Sequence, residues 1–279
     1  MNVIEINKNN AEEYSGALGP DLTSDMERYF YYAHAAVDDD GKVCGVLVYE
    51  LTNADNEDDT ESSIVQFNYD NDEVRSQLWS EYEKSVKNND IVITHYETGD
   101  ADLAGFYESA GFSKNSGESS KLSFTVGDLS SLPVNLSAKL PSNIINNQDI
   151  SVIQYRNAVK NFLVKGAKGS VTDLAYLKIG WFERDISACA VSDDKVDGMF
   201  LIRKTPSGEL HPVLYAAFGP EFMKNLGAML VFTAKKAIEL YPPDTVIRIK
   251  RHNKQVAALC AKMLSGRKGE PAFSGEITH

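Results

Sequence analysis

Short runs in which apolar and polar residues alternate predict strands, and longer runs with apolar positions every three or four residues predict helices. Residues 2–6 alternate as a strand, and helices are expected over 10–18 and 22–32. Strands over 33–37 and 42–51 are joined by Asp38-Asp39-Asp40-Gly41, a turn whose glycine accepts positive φ. An acidic loop, 53–61, leads to a strand over 62–69. Val74, Leu78, Trp79 and Tyr82 then recur at helical spacing within 72–86. A strand over 90–96, a short helix over 101–110 ended by Gly111 and a closing strand over 121–126 complete the first series.

The stretch 129–148 is rich in Ser, Asn and Pro, including Pro133 and Pro141, and reads as a linker. The pattern then begins again without a clear opening strand. Helices are expected over 150–164 and 171–181, and strands over 187–191, 195–204 and 209–218. A long helix over 221–240 stops at Pro242-Pro243, followed by a strand over 245–250 and a helix over 253–264. One element order appearing twice at a spacing of about 150 residues points to duplication of a whole domain. The expected division is 1–128, a linker 129–148, and 149–279. Residues 272–277 offer one further strand.

The net charge of −12 is unevenly divided. Residues 1–128 hold 27 acidic and 8 basic side chains, residues 129–279 hold 13 and 20. Two units with different electrostatic character follow from this. The basic residues are dispersed rather than interleaved with aromatics, so no nucleic-acid partner is expected. No run approaches the length of a membrane span, and the start, Met1-Asn2-Val3-Ile4-Glu5, does not resemble a signal peptide. Cys44, Cys189 and Cys260 are few and widely spaced, which fits a reducing cytoplasm and no disulfide framework. No His spacing suggests a metal site. Asp55, Glu57 and Asp59 alternate as calcium ligands do, but Thr60 stands where the turn glycine belongs and Gln66 where the closing Glu belongs.

The stretch Phe218-Gly219-Pro220-Glu221-Phe222-Met223-Lys224-Asn225-Leu226-Gly227-Ala228 resembles the strand–loop–helix of the GNAT N-acetyltransferase superfamily, whose motif is Gln/Arg-x-x-Gly-x-Gly/Ala. Gly227 matches the last glycine, Asn225 replaces the first, and Phe222 replaces the Gln or Arg. The following helix, Asn253-Lys254-Gln255-Val256-Ala257-Ala258-Leu259-Cys260, is similar to the family's Asn-x-x-Ala-x-x-Leu-Tyr, with Cys260 in place of the Tyr. In the first half, Phe106-Tyr107-Glu108-Ser109-Ala110-Gly111-Phe112 matches the family's ending. Its phosphate loop does not: 69–76 lacks glycine and carries Asp70, Asp72 and Glu73, which repel phosphate.

The resemblance implies an α/β fold of two tandem GNAT-like domains, each a mixed, largely antiparallel sheet flanked by helices. It implies that acetyl-CoA, as acyl donor, lies against Ala216, Ala217 and Phe218 at a strand edge. Lys224, Asn225, Leu226, Gly227 and Ala228 would hold it at the helix start, and Asn253 would contact it on the next helix. Arg248, Lys250, Arg251 and Lys254 cluster nearby and are candidates for the coenzyme's 3′-phosphate or for solvated surface. An amine must lose a proton before it attacks a thioester, so Glu209 and His211, expected on one strand face with Val213, Tyr215 and Ala217, are the candidate bases. Tyr107 and Cys260 read as packing residues. The function expected is acetyl transfer to an amine, with a cationic small molecule as acceptor. The alternative is a non-catalytic tandem protein that senses coenzyme A.

Overall fold

The alternation at the start of the chain forms strand β1 (Asn2–Ile6), and the next apolar run forms helix α1 (Ser15–Asp25). Two helices are expected here, and two helical pieces are found: after a 3-10 turn at Ala11–Tyr14 the span breaks at Gly19, where φ is 76° and ψ is 165°, and the second piece ends at Asp25 rather than at Tyr32, which belongs to β2. Strands β2 (Tyr31–Val37), β3 (Val43–Asn53) and β4 (Thr60–Tyr69) follow, then α2 (Asp72–Asn88), β5 (Ile91–Thr98), α3 (Ala101–Ser109) and β6 (Asn115–Glu118). The second series is β7 (Lys121–Thr125), β8 (Ile144–Asn146), α4 (Val152–Val164), β9 (Ala188–Ser192), β10 (Lys195–Lys204), β11 (Leu210–Ala217), α5 (Phe222–Leu240), β12 (Val246–Lys250) and α6 (Lys254–Met263). Strand β13 (Pro271–Thr278) ends the chain. The structure is a computed structural model that describes residues 1–28, 30–53, 59–164, 174, 177–251, 254–264 and 266–279. Residues 171–173, 175 and 176 of the expected helix over 171–181 lie outside them, and its end, Ile179–Trp181, is a 3-10 turn.

These elements build two compact units, residues 1–119 with 270–279, and residues 120–269. The first has a seven-stranded sheet ordered β1-β2-β3-β4-β5-β13-β6, and the second a six-stranded sheet ordered β7-β12-β11-β10-β9-β8. Among the described residues, β4 with β5 and β11 with β12 are the pairs that run parallel. Helices cover both faces. In the first unit Leu47, Leu78, Tyr82 and Tyr107 pack on one face, and Ile6, Leu18, Val46 and Val48 on the other. In the second, Phe200, Ile202, Leu210, Met229 and Ile247 form one core, and Tyr155, Phe162, Met199 and Leu201 the other.

The boundaries differ from those expected at three places. The stretch 129–148 is not a linker: Leu129, Leu132 and Ile144 are buried in the second unit, and Ile144–Asn146 pairs with β9 as the missing opening strand. Strand β7 does not close the first sheet but pairs antiparallel with β12, from Lys121 opposite Lys250 to Thr125 opposite Val246. Strand β13 does not extend the second sheet but lies between β5 and β6 of the first. The reason lies in edge pairing: β5 and β12 would each present an open edge, and the chain covers β12 with β7 and β5 with β13. The division also sharpens the charge contrast. The first unit holds 28 acidic and 7 basic side chains, the second 12 and 21.

The insertion of β13 is tight. Ser113 donates its N–H to the Glu276 carbonyl at 2.9 Å, and a Cβ at Gly275 would stand 1.8 Å from the Ser113 carbonyl oxygen. At its end, His279 Nε2 lies 2.8 Å from Thr94 Oγ1, within a buried hydroxyl group that includes Ser62 and Tyr82. Gly275→Ala is therefore expected to destabilise the protein by about 2–4 kcal/mol, measured by denaturant unfolding, because backbone must shift to admit one methyl group.

Candidate functional site

The second sheet carries a bulge in its central strand. Leu201 of β10 lies opposite Leu214 of β11, but the next residue, Ile202, lies opposite Pro212, so Val213 is the extra residue. A bulge reverses the alternation beyond it. His211 and Val213 therefore precede a switch, after which Leu214, Ala216 and Phe218 pack on the α4 side and Tyr215 and Ala217 on the α5 side. The single face expected for Glu209, His211, Val213, Tyr215 and Ala217 is thus broken: Tyr215 and Ala217 turn to the other side. The Tyr215 hydroxyl donates to the Leu226 carbonyl of α5 at 2.8 Å, and burial pushes its pKa far up.

Beyond this point β11 and β12 part. Their ladder consists of Leu210 opposite Ile247, and the edge of β11 from His211 to Ala217 has no ladder partner on that side among the described residues. Ala216 and Ala217 pair on their other side with Met199 and Gly198, and the Phe218 N–H donates to the Asp197 carbonyl. A wedge thus opens between two parallel strands, with α5 starting beside its wide end.

The turn into α5 passes through Gly219, whose φ of 89° favours glycine, and Pro220. No side chain caps the helix: Glu221, at the N-cap, makes no side-chain capping bond. The Phe222 N–H is taken by the Gly219 carbonyl at 3.3 Å and the Asn225 N–H by the Glu221 carbonyl at 2.9 Å. The residues expected to form a phosphate loop are therefore already helical. Asn225 is buried, its side-chain oxygen accepting from Asn143 at 3.3 Å. Leu226, Gly227 and Ala228 lie in the second turn, with Gly227 facing open space. Lys224 Nζ sits 2.6 Å from Glu221 Oε2 on the surface. The first turn of α5 lies at Phe222, Met223 and Lys224, and of these Phe222 already gives its N–H to Gly219, which leaves the amides of Met223 and Lys224 as those a helix cannot bond internally. Asn253 lies outside the described residues.

At the narrow end of the wedge, Glu209 and His211 come together. His211 Nε2 is 3.0 Å from Glu209 Oε2, and Arg248 of β12 donates through Nη2 to Glu209 Oε1 at 2.6 Å. The side chains are 32%, 21% and 40% exposed respectively, so solutes reach all three. Arg248, a candidate with Lys250, Arg251 and Lys254 for the coenzyme's 3′-phosphate or for solvated surface, donates to a carboxylate. The parallel register would have revealed this, since Leu210 opposite Ile247 sets His211 beside Arg248. Cys260, where the resemblance implies a Tyr, is buried in the core and burial raises its thiol pKa. A surface depression of about 550 Å³ lies elsewhere, between β8 and the far half of α5, lined by residues such as Asp149, Asp185 and Lys236.

The first unit repeats the frame with a capped helix start. Val48 lies opposite Gln66 and Tyr49 opposite Ile64, which makes Val65 a bulge in β4. Strands β4 and β5 stay paired from Thr60 to Ile64 before they part. Phe67, Trp79, Phe106 and Tyr107 cluster in the core of this unit, with ring centroids 5.3–6.4 Å apart among the pairs Phe67–Trp79, Phe67–Phe106, Phe67–Tyr107, Trp79–Phe106 and Trp79–Tyr107. The Arg75 guanidinium lies 4.6 Å from the Phe106 ring centre. The start of α2 is plugged: the Asn71 side chain accepts from the Val74 N–H at 3.0 Å, and Asp72 and Glu73 occupy the first turn. Tyr107 is buried and stacked on Tyr96 at 4.2 Å, as its packing role requires. Among the described residues, no group of three or more His, Cys, Asp or Glu is arranged for a metal, and no helix is long and apolar enough to cross a membrane.

The two helix starts predict opposite responses. Asn71→Ala should lower stability by about 1 kcal/mol through loss of its cap. Gly227→Ala should raise it by about 0.5–1 kcal/mol, since the added methyl group meets no atom and favours the helix. Both are read from denaturant midpoints.

No family model and no curated protein matches the sequence. Solved structures do match. A tandem GNAT protein from the clavulanic acid biosynthesis pathway superposes with a TM-score of 0.67 at 12% identity, covering 99% of this chain and 98% of that one. An acetyltransferase candidate from Pyrococcus horikoshii gives 0.58 at 11% identity, covering 100% and 89%. A GCN5-related glucosamine N-acetyltransferase region in a fungal multi-domain β-N-acetylglucosaminidase gives 0.57 at 10% identity, covering 99% of this chain and 38% of that one. The duplicated strand order, the paired bulges and these superpositions over the whole length together give the chain the fold of the tandem GNAT proteins.

Proposed function

We propose that the protein is an N-acyltransferase that moves an acetyl group from acetyl-CoA to an amine, with the second unit as the acting one. The observation that carries this reading is the wedge of the second unit: β11 and β12 separate after one residue pair, and α5 starts beside the opening without a side-chain cap. A diphosphate suits the uncapped amides and partial positive charge of the first turn. The pantetheine arm suits the unpaired strand edge, where it can bond to backbone groups as a neighbouring strand would. The residues present fit the donor on both counts, whereas in the first unit the parallel pair holds for longer and the helix start is capped.

His211 is the base in this reading. It takes one proton from the acceptor ammonium, and the freed nitrogen forms a bond to the thioester carbonyl carbon. The carbon–sulfur bond then breaks, the thiolate takes the proton held by His211, and the second proton of the new amide nitrogen goes to solvent. A cationic acceptor is supported by the acid excess of the first unit, 28 acidic against 7 basic side chains, which raises the local concentration of cations. The burial of Cys260 where a Tyr is implied favours a second reading, coenzyme A binding without turnover.

Calorimetric titration with acetyl-CoA tests the site. Binding is expected, and Met223→Glu should weaken it at least tenfold while stabilising the helix by about 0.3–1 kcal/mol, because a carboxylate favours a helix N-terminus but repels phosphate. No binding at millimolar acetyl-CoA ends both readings. Thiol release with spermidine, kanamycin, lysine and glucosamine then separates transfer from binding alone.

A further inference from the structure

We infer that Arg248 is a positioning residue that locks Glu209, so that Glu209 fixes His211 in the tautomer whose Nδ1 carries the free lone pair. This rests on the reading of His211 as base, but its geometry stands without that reading. A carboxylate only accepts hydrogen bonds, so the 3.0 Å contact between His211 Nε2 and Glu209 Oε2 puts the proton on Nε2. In the neutral ring, Nδ1 is then the basic atom. The other carboxylate oxygen, Oε1, is held by Arg248 Nη2 at 2.6 Å across the parallel pair. Glu209 therefore has one oxygen for each neighbour, and turning the carboxylate out of this plane would break both bonds. Its backbone is also pinned, since its carbonyl accepts from the Thr205 N–H at 2.8 Å and its N–H donates to Thr205 Oγ1 at 3.2 Å.

The duplication supplies an internal comparison. Glu61 stands four residues before the bulge at Val65, as Glu209 stands four before the bulge at Val213. Glu61 also pairs across the parallel ladder, its Oε2 lying 3.1 Å from Nε2 of His95 on β5. Ser63 lies opposite His95 in that ladder, and Leu210 opposite Ile247 in the other, so His95 and Arg248 hold matching positions. Both units thus keep a carboxylate tied to the next strand. The residue midway between Glu and bulge differs in chemistry: Ser63 in the first unit, His211 in the second. In the unit whose helix start is capped the position carries no base. In the other unit it carries an imidazole resting on the shared carboxylate.

The test uses the whole chain. Long-range proton–nitrogen NMR of the imidazole, with His211→Gln to assign it, reads which ring nitrogen bears the proton at a pH where the ring is neutral. The native protein is expected to show Nε2 protonated alone. Arg248→Met should turn this into a mixture of both tautomers, and Arg248→Lys should restore most of the native signal. With acetyl-CoA and the best amine of the panel, Arg248→Met should lower kcat about tenfold or more and leave the acetyl-CoA KM within about twofold. A native ring protonated on Nδ1, or an Arg248→Met ring still held in one tautomer, overturns the inference. Absence of turnover with every amine sinks the proposed enzyme instead and leaves the NMR result to decide the role of Arg248.

Discussion

A backbone amide removed from its ladder has to find another partner, and the second unit leaves a whole strand edge in that position. Strand β11 is tied on one side to β10 from Lys204 to Gly198, and on the other to β12 at Leu210 alone. The bulge at Val213 increases the local twist, so β11 turns away from a neighbour that starts beside it. Everything proposed for the site follows from this separation. The wide end sets the edge of β11 beside the start of α5, and the narrow end brings residues 209, 211 and 248 within hydrogen-bonding distance.

The first unit shows the same frame with the opposite outcome. Its parallel pair holds for longer, from Thr60 to Ile64, and aromatic rings cluster in its core. Packing Phe67, Trp79, Phe106 and Tyr107 together buries large apolar surface, which favours stability where no ligand has to enter. The helix start is treated likewise: Asn71 supplies from within the chain the acceptor that a ligand would supply from outside. One unit is capped and acidic, the other uncapped and basic. The duplication has separated two properties that a single domain would have to combine.

Much of this was legible in the residues. Alternation and helical spacing located most strands and helices, and the carboxylates at Asp70, Asp72 and Glu73 already excluded phosphate from the first unit. Glu209 and His211 were expected on one strand face and lie within 3.0 Å of each other, because both precede the bulge, where alternation still holds. Beyond it the pattern misled, since Val213 and Leu214 are both apolar and nothing in their chemistry marks an extra residue. The glycine motif misled for a different reason: Gly227 matches by residue type, yet the helix begins at Phe222 and absorbs it. Strand partners were invisible, because the alternation of residues 121–126 and 272–277 fits the edge of either sheet equally well. A pattern of period two specifies which faces are apolar but not which strand lies alongside.

The place of β13 has a consequence for how the protein comes into being. Translation completes residues 1–119 early, yet the sheet they form lacks the strand between β5 and β6 until residue 278 has been made. The unit synthesised first is therefore finished last, and its closure brings together positions as distant as Thr94 and His279. Pairing over such a separation is slow relative to local structure, and the edge of β5 stays available to other chains in the meantime. Nascent protein arrested before residue 270 would carry a second unit with all its strands and a first unit still lacking β13.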